Sequence, residues 1–199
     1  MENEGGSGSA GTHWEKLYLG NEIMTSQMTG KPVYSAFTFA LMQDSGWYNV
    51  DTSKAEPLLW GRGQGCSFLD STCNTQYSEF CNKPTSGLAS SYYYCSRDFT
   101  SRTYCASTSF TDTCYIKEYM KNDNCNQADP DFQSATLYEK PGPNSRCFIT
   151  NYNSRNLPGC YPSSCSNGQI TITVNGQQLT CSSAGAVLTV GSLQVLCPD

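Results

Sequence analysis

The stretch QITITVNGQQLTCSSAGAVLTVGSLQVLC, residues 169–197, carries the clearest conformational signal in the sequence. ITITV and QQLTC flank Asn175-Gly176, a pair suited to the left-handed backbone of a two-residue hairpin turn. AVLTV and LQVLC supply two further strands. The end of the chain is therefore expected to be a small antiparallel sheet, tied by Cys165, Cys181 and Cys197.

Those cysteines belong to a set of twelve: Cys66, Cys73, Cys81, Cys95, Cys105, Cys114, Cys125, Cys147, Cys160, Cys165, Cys181 and Cys197. Their number is even, their spacings are irregular, and no C-x-x-C pair occurs. With a single His as well, the usual zinc-finger spacings are absent. A disulfide framework is the expected reading for all twelve, and it places the folded protein in an oxidising compartment. Connectivity stays open, because twelve cysteines allow on the order of ten thousand pairings. Residues 1–65 contain no cysteine and residues 66–199 contain all of them. The expected organisation is a first part held by ordinary packing and a second part stapled by bridges.

Composition narrows the function classes. The chain has 199 residues, 15% of them charged, with a net charge of −5. No run of Lys or Arg exceeds two, which argues against nucleic acid or an anionic membrane surface as a partner. No stretch approaches the roughly 18 apolar residues of a membrane-spanning helix. The opening MENEGGSGSAG has no apolar signal-peptide core, which conflicts with the cysteines. The expectation drawn from that conflict is a sequence incomplete at its start.

Between the tail GGSGSAG (5–11) and the cysteine-bearing part lies one helix signal. YSAFTFALMQDSGWY (34–48) has apolar residues at 36, 37, 40 and 41, widened by Phe39 and Met42. Ser35 can cap its start and Gly46 fits its stop, predicting a helix over about 35–45. It is apolar nearly all round and should be covered by something. NEIMTSQMTGKP (21–32) reads as turns, and YEKPGPNSRCF (138–148) and RNLPGCYPSSC (155–165) read as loops by their Pro and Gly content.

The only histidine is His13, in GTHWEKLYLGNEIMT (11–25), eleven positions ahead of Met24. Taken alone, His13 is a surface or core residue, Met24 a turn or core residue, and Glu15 and Glu22 solvated charges. There is no G-x-S-x-G, no Gly-rich phosphate loop and no H-E-x-x-H. The combination says more. HWEK followed by GNEIMT, FALMQDSGWY, SKAEPLLWGRGQGCSFL and a cysteine-rich tail resembles the leishmanolysin family of zinc metallopeptidases. The match is densest over 13–69 and looser between 82 and 160.

The resemblance implies an α+β fold. Residues 1–65 would end a metzincin-type catalytic domain with its Met-turn and buried helix. Residues 66–199 would be a disulfide-rich, mainly antiparallel β and loop domain. By the same resemblance His13 would be the third Zn2+ ligand, and Met24 the Met-turn methionine beneath the metal. Thr25, Ser26, Gln27, Met28 and Thr29 would line a substrate-pocket wall. Such enzymes take two His ligands and a Glu base from H-E-x-x-H, which this sequence lacks; neither Glu15 nor Glu22 can replace that Glu. The expectation is a fragment of a zinc metalloendopeptidase of extracellular or cell-surface proteins, clipped at both ends and inactive alone. Its partners would be protein or peptide substrates, with any membrane association residing in segments outside this sequence. The competing reading is a non-catalytic, disulfide-stapled adhesion or interaction module descended from that family.

Overall fold

The computed structural model describes residues 1–70, 73–84, 93–128, 130 and 133–198. The chain is mixed, with mostly antiparallel sheets, few helices and five disulfides. It divides into two compact units, residues 1–83 with 105–118 and residues 84–104 with 119–199. The expected division after residue 65 falls within the first unit. Among the described residues no helix is long and apolar enough to cross a membrane.

In the first unit, helix α1 (Lys16–Leu19) is capped by Glu15, whose carboxylate accepts from Leu17 N. It ends at Gly20, φ 52°. A Cβ there would lie 2.2 Å from the Trp60 indole, so glycine is required by space as well as by backbone. Trp60 Nε1 donates to Leu17 O at 3.1 Å, locking that contact. Helix α2 (Ala36–Asp44) begins at Ser35, whose hydroxyl accepts from Phe37 N, and Gly46 follows it at φ 71°. This is the helix expected from 34–48. Its apolar circumference is not covered: Phe37 and Leu41 are 55% and 46% exposed. Helix α3 (Ser67–Asp70) contributes Phe68 to a small core with Leu17, Phe80, Cys114 and Ile116. Tyr77 meets the Phe68 ring edge-on at 5.3 Å. The bridges Cys73–Cys114 and Cys81–Cys105 hold this core.

The second unit is built on two sheets. Strands β1 (Tyr93–Cys95), β2 (Ser101–Ala106) and β3 (Ile116–Asn124) form one, in that order, the chain leaving and re-entering the unit within β2 and β3. The other has six strands: β4 (Ser145–Tyr152), β5 (Arg155–Ser166), β6 (Gln169–Val174), β7 (Gln177–Thr180), β8 (Val187–Val190) and β9 (Leu193–Leu196). Their order is β7-β6-β5-β4-β9-β8, every pair antiparallel. The strands expected over 170–197 are all present, and Asn175 and Gly176 have the positive φ (48° and 76°) of the predicted turn. Alternation along β6 buries Ile172 and Val174 against Phe148, Tyr161, Leu193 and Val195.

The stretches read as loops at 138–148 and 155–165 are corrected here, since β4 starts at Ser145 and β5 covers 155–166. Proline is tolerated in β5 for a local reason. Pro158 lies opposite Ile149 of β4 and turns its carbonyl the other way, to Arg102 Nε at 3.2 Å. Its missing N–H falls on that same side, and β6 pairs with β5 only from Ser163 onward.

Two interactions fasten the sheets of this unit. Cys147 and Cys160 face each other across β4 and β5, yet each is bridged elsewhere, Cys95–Cys147 and Cys125–Cys160. The Arg102 guanidinium is 1% exposed and binds Asp123 Oδ1 at 2.5 Å, Glu139 Oε1 and Pro158 O. Glu139 also accepts from Cys160 N at 2.8 Å. Tyr161, whose hydroxyl donates to Leu137 O at 2.6 Å, has its phenol pKa pushed above the usual value by burial and by the neighbouring Glu139 charge. The third bridge, Cys181–Cys197, closes the sheet's end.

The expectation that all twelve cysteines are bridged is corrected at two positions. Cys66 and Cys165 are exposed and unpaired, and each unit's other cysteines are already committed to one another. Alkylation in denaturant without reductant should therefore label two cysteines per chain, Cys66 and Cys165, by peptide mapping. Labelling at any of the other ten would contradict the pairing. Arg102→Met should lower the free energy of unfolding by about 3–5 kcal/mol in urea titration, because it strands two buried carboxylates. A change within about 1 kcal/mol would show that the guanidinium is not the clasp described.

Candidate functional site

The segment carrying His13 and the segment carrying Met24 are held side by side by backbone. Trp14 N donates to Met24 O at 2.9 Å, and Trp14 and Thr25 form a parallel bridge. On the other side His13 O accepts from Glu2 N at 2.9 Å. The imidazole is half-buried. Its Nδ1 lies 3.0 Å from Thr12 Oγ1 and 3.4 Å from Ser9 O. Nδ1 can donate to that carbonyl or accept from the Thr12 hydroxyl according to tautomer; only the first leaves Nε2 the lone pair that a metal-ligating histidine uses.

What stabilises the tight turn at Met24 is Glu22. Its carboxylate is 1% exposed and accepts from Met24 N at 2.5 Å, Ser35 Oγ at 2.9 Å and Thr38 Oγ1 at 2.6 Å. Trp14 Nε1 in turn donates to Thr38 Oγ1 at 3.0 Å. One buried carboxylate thus links the Met24 turn to the first turn of α2, and Thr38 extends the chain of bonds to the residue after His13. The expectation that Glu15 and Glu22 are solvated is overturned. Glu15 is 7% exposed, and burial raises its pKa against the favourable bond from Leu17 N, with Glu2 and Asp112 adding to the rise. The sequence held one clue to Glu22: Ser35 and Thr38, spaced to share a face at the start of the predicted helix, are hydroxyl donors with a use for an acceptor.

The five residues after Met24 differ in exposure and in partners. Thr25 and Thr29 are buried, and Thr25 Oγ1 donates to Glu22 O at 2.9 Å. Ser26 donates to Glu2 Oε2 at 2.5 Å, and Gln27 Oε1 accepts from Thr108 Oγ1 at 3.2 Å. Only Met28 projects, at 81% exposure.

The donor set falls short of a zinc site. Among the described residues no three His, Cys, Asp or Glu side chains converge as a metal-binding group, whereas catalytic zinc takes three protein ligands and a water. His13 is the chain's one imidazole.

Comparison with known proteins places the chain in a family. The leishmanolysin family profile, peptidase M8, matches residues 1–194. A human ciliated left-right organizer metallopeptidase is 34% identical over 166 residues, covering 78% of this chain and 20% of that protein. A Drosophila melanogaster leishmanolysin-like peptidase is 53% identical over 73 residues, covering 37% and 11%. Leishmanolysin of Leishmania donovani is 45% identical over 73 residues, covering 37% and 12%. The chain spans between about a tenth and a fifth of the length of these relatives. With nearly its whole length matched by the family profile, the chain belongs to the leishmanolysin peptidase family.

Proposed function

We propose that this chain is part of a leishmanolysin-type zinc metalloendopeptidase, to which it contributes one metal ligand, His13, and the methionine below it, Met24. The observation that carries the reading is the backbone bond from Trp14 to Met24, which keeps the imidazole segment and the methionine turn together. Zinc would supply a polarised water for attack on a peptide carbonyl. This chain's part is to hold an imidazole with Nδ1 anchored and to set the floor under it through Glu22.

Two further ligands and the general base would come from an H-E-x-x-H segment, so the 199-residue chain by itself is inactive in this reading. The uncovered aromatic and aliphatic face around α2 supports the same arrangement. Tyr34, Phe37, Leu41, Trp47 and Tyr48 are all at least 46% exposed, a surface that another part of a catalytic domain would bury. Five disulfides suit an extracellular or cell-surface protease acting on proteins or peptides.

The test joins this chain to an H-E-x-x-H segment of the family in one polypeptide. There, His13→Ala should remove bound zinc and lower casein cleavage at least about a hundredfold, given that even outer-shell partners of a ligand cost 10- to 100-fold. Met24→Leu should stay within about tenfold, because volume and apolarity are kept. Undiminished zinc and activity in His13→Ala would refute the assignment and favour the non-catalytic module. The chain alone, dialysed against micromolar zinc, should retain well under one metal per chain; stoichiometric zinc with chelator-sensitive cleavage would overturn the reading.

A further inference from the structure

The second unit contains a cavity of about 460 Å³ lined by nine residues, Phe99, Phe148, Ile170 and Pro198 among its apolar ones and Arg146, Ser163 and Cys165 among its polar ones. Its size is that of a small-molecule or peptide-end pocket. It lies on one face of the six-stranded sheet. Arg146 and Phe148 are two apart on β4, Ser163 and Cys165 two apart on β5, and Ile170 of β6 stands opposite Cys165.

Three features set this cavity apart from a packing gap. Phe99 has φ 55°, a left-handed conformation that a bulky side chain rarely adopts. A turn alone would be better served by glycine. The fold nonetheless holds Phe99 there, through Phe99 N to Ser96 O at 2.9 Å, Cys147 N to Phe99 O at 2.7 Å, and the Cys95–Cys147 bridge. Strain kept in this way commonly marks a binding surface. Second, the half-buried Arg146 spends Nη1 on Ser145 O at 2.9 Å and, among the described residues, keeps most of its N–H donors. The one carboxylate in the lining, Asp98, accepts from Ser96 Oγ, Thr100 N and Thr100 Oγ1 of its own loop. Third, Cys165 is exposed and unbridged in a unit whose other cysteines are all paired.

We propose that this cavity binds a carboxylate carried on an apolar body, with Arg146 receiving the carboxylate and Phe99, Phe148 and Ile170 receiving the body. A guanidinium beside hydroxyls on an aromatic floor recognises that pairing of groups by charge and by desolvation together. The C-terminal end of a peptide with an apolar last residue and a free aryl or alkyl acid share this chemistry. The proposal does not depend on the peptidase reading.

Cys165 provides the readout and Cys66 the control, because both thiols are exposed in the same chain and only Cys165 lines the cavity. The oxidised chain is labelled with the neutral disulfide dithiodipyridine. In this reaction a thiolate forms a mixed disulfide, the reagent's S–S bond breaks, and pyridinethione leaves with the thiol's proton. Peptide mapping follows each cysteine separately. Saturating N-acetyl-alanyl-phenylalanine should slow labelling of Cys165 about tenfold and leave Cys66 within about twofold. The C-terminal amide of the same dipeptide should not protect, and Arg146→Met should abolish protection by the acid. Protection by phenylpropionate as well assigns the site to apolar acids generally, and protection by the dipeptide acid alone assigns it to peptide ends; both support it. Absence of protection in the unmodified chain, equal protection by the amide, or protection that survives Arg146→Met would overturn the proposal.

Discussion

The Arg102 guanidinium is the interaction on which the second unit depends. It sits on β2, is 1% exposed, and reaches β3 through Asp123, the segment after β3 through Glu139, and β5 through the Pro158 carbonyl. A cation so placed would be prohibitively costly to desolvate without partners, and two carboxylates and a carbonyl supply them. The contact is also specific. A planar fork with donors on three sides accepts these acceptors in one arrangement only, so it sets where the two sheets of the unit meet.

Beside that ion cluster stand two bridges with three of their four cysteines fully buried. Cys125, Cys147 and Cys160 are all at 0% exposure, with Cys95 packed against them. In a chain only 38% apolar, such bridges take over much of the work of a hydrophobic core, and they do so by limiting the unfolded chain. The apolar cluster centred on Phe148, Tyr161 and Ile172 is comparatively small and lies on the sheet face. Charge, sulfur and hydrocarbon therefore each hold a different part of the same unit.

The first unit solves a related problem with Glu22. A buried carboxylate is stabilised by three donors, and those donors belong to the Met24 turn and to the cap and first turn of α2. The arrangement gives the histidine-bearing segment a fixed neighbour, because Trp14 N is bonded to the Met24 carbonyl of that same turn. The four-residue helix α1 is held by contacts of its own. Glu15 caps α1, Gly20 ends it against Trp60, and Lys16 is paired with Glu118 at 2.8 Å.

What the amino-acid order determined by itself is local or familial. Asn175-Gly176 announced its hairpin and Ser35 its helix, because turn and cap chemistry acts between residues a few positions apart. HWEK and GNEIMT, in order with the cysteine-rich tail, were enough for the family. Tertiary structure decided the rest. Strands β4 and β5 escaped notice because Pro158 and Pro162 resemble loop residues until the sheet shows which edge lacks a partner, and because Asn153-Ser154 turns between them without a glycine. Cys147 and Cys160 are neighbours across two strands, but their bridges go to partners 52 and 35 residues away. The burial of Glu22, and the cavity at Arg146 and Cys165, likewise require chain segments to meet that no short-range rule connects. Pairing and burial are properties of the packed chain, since the energy that selects them exists only once distant residues exclude water from between them.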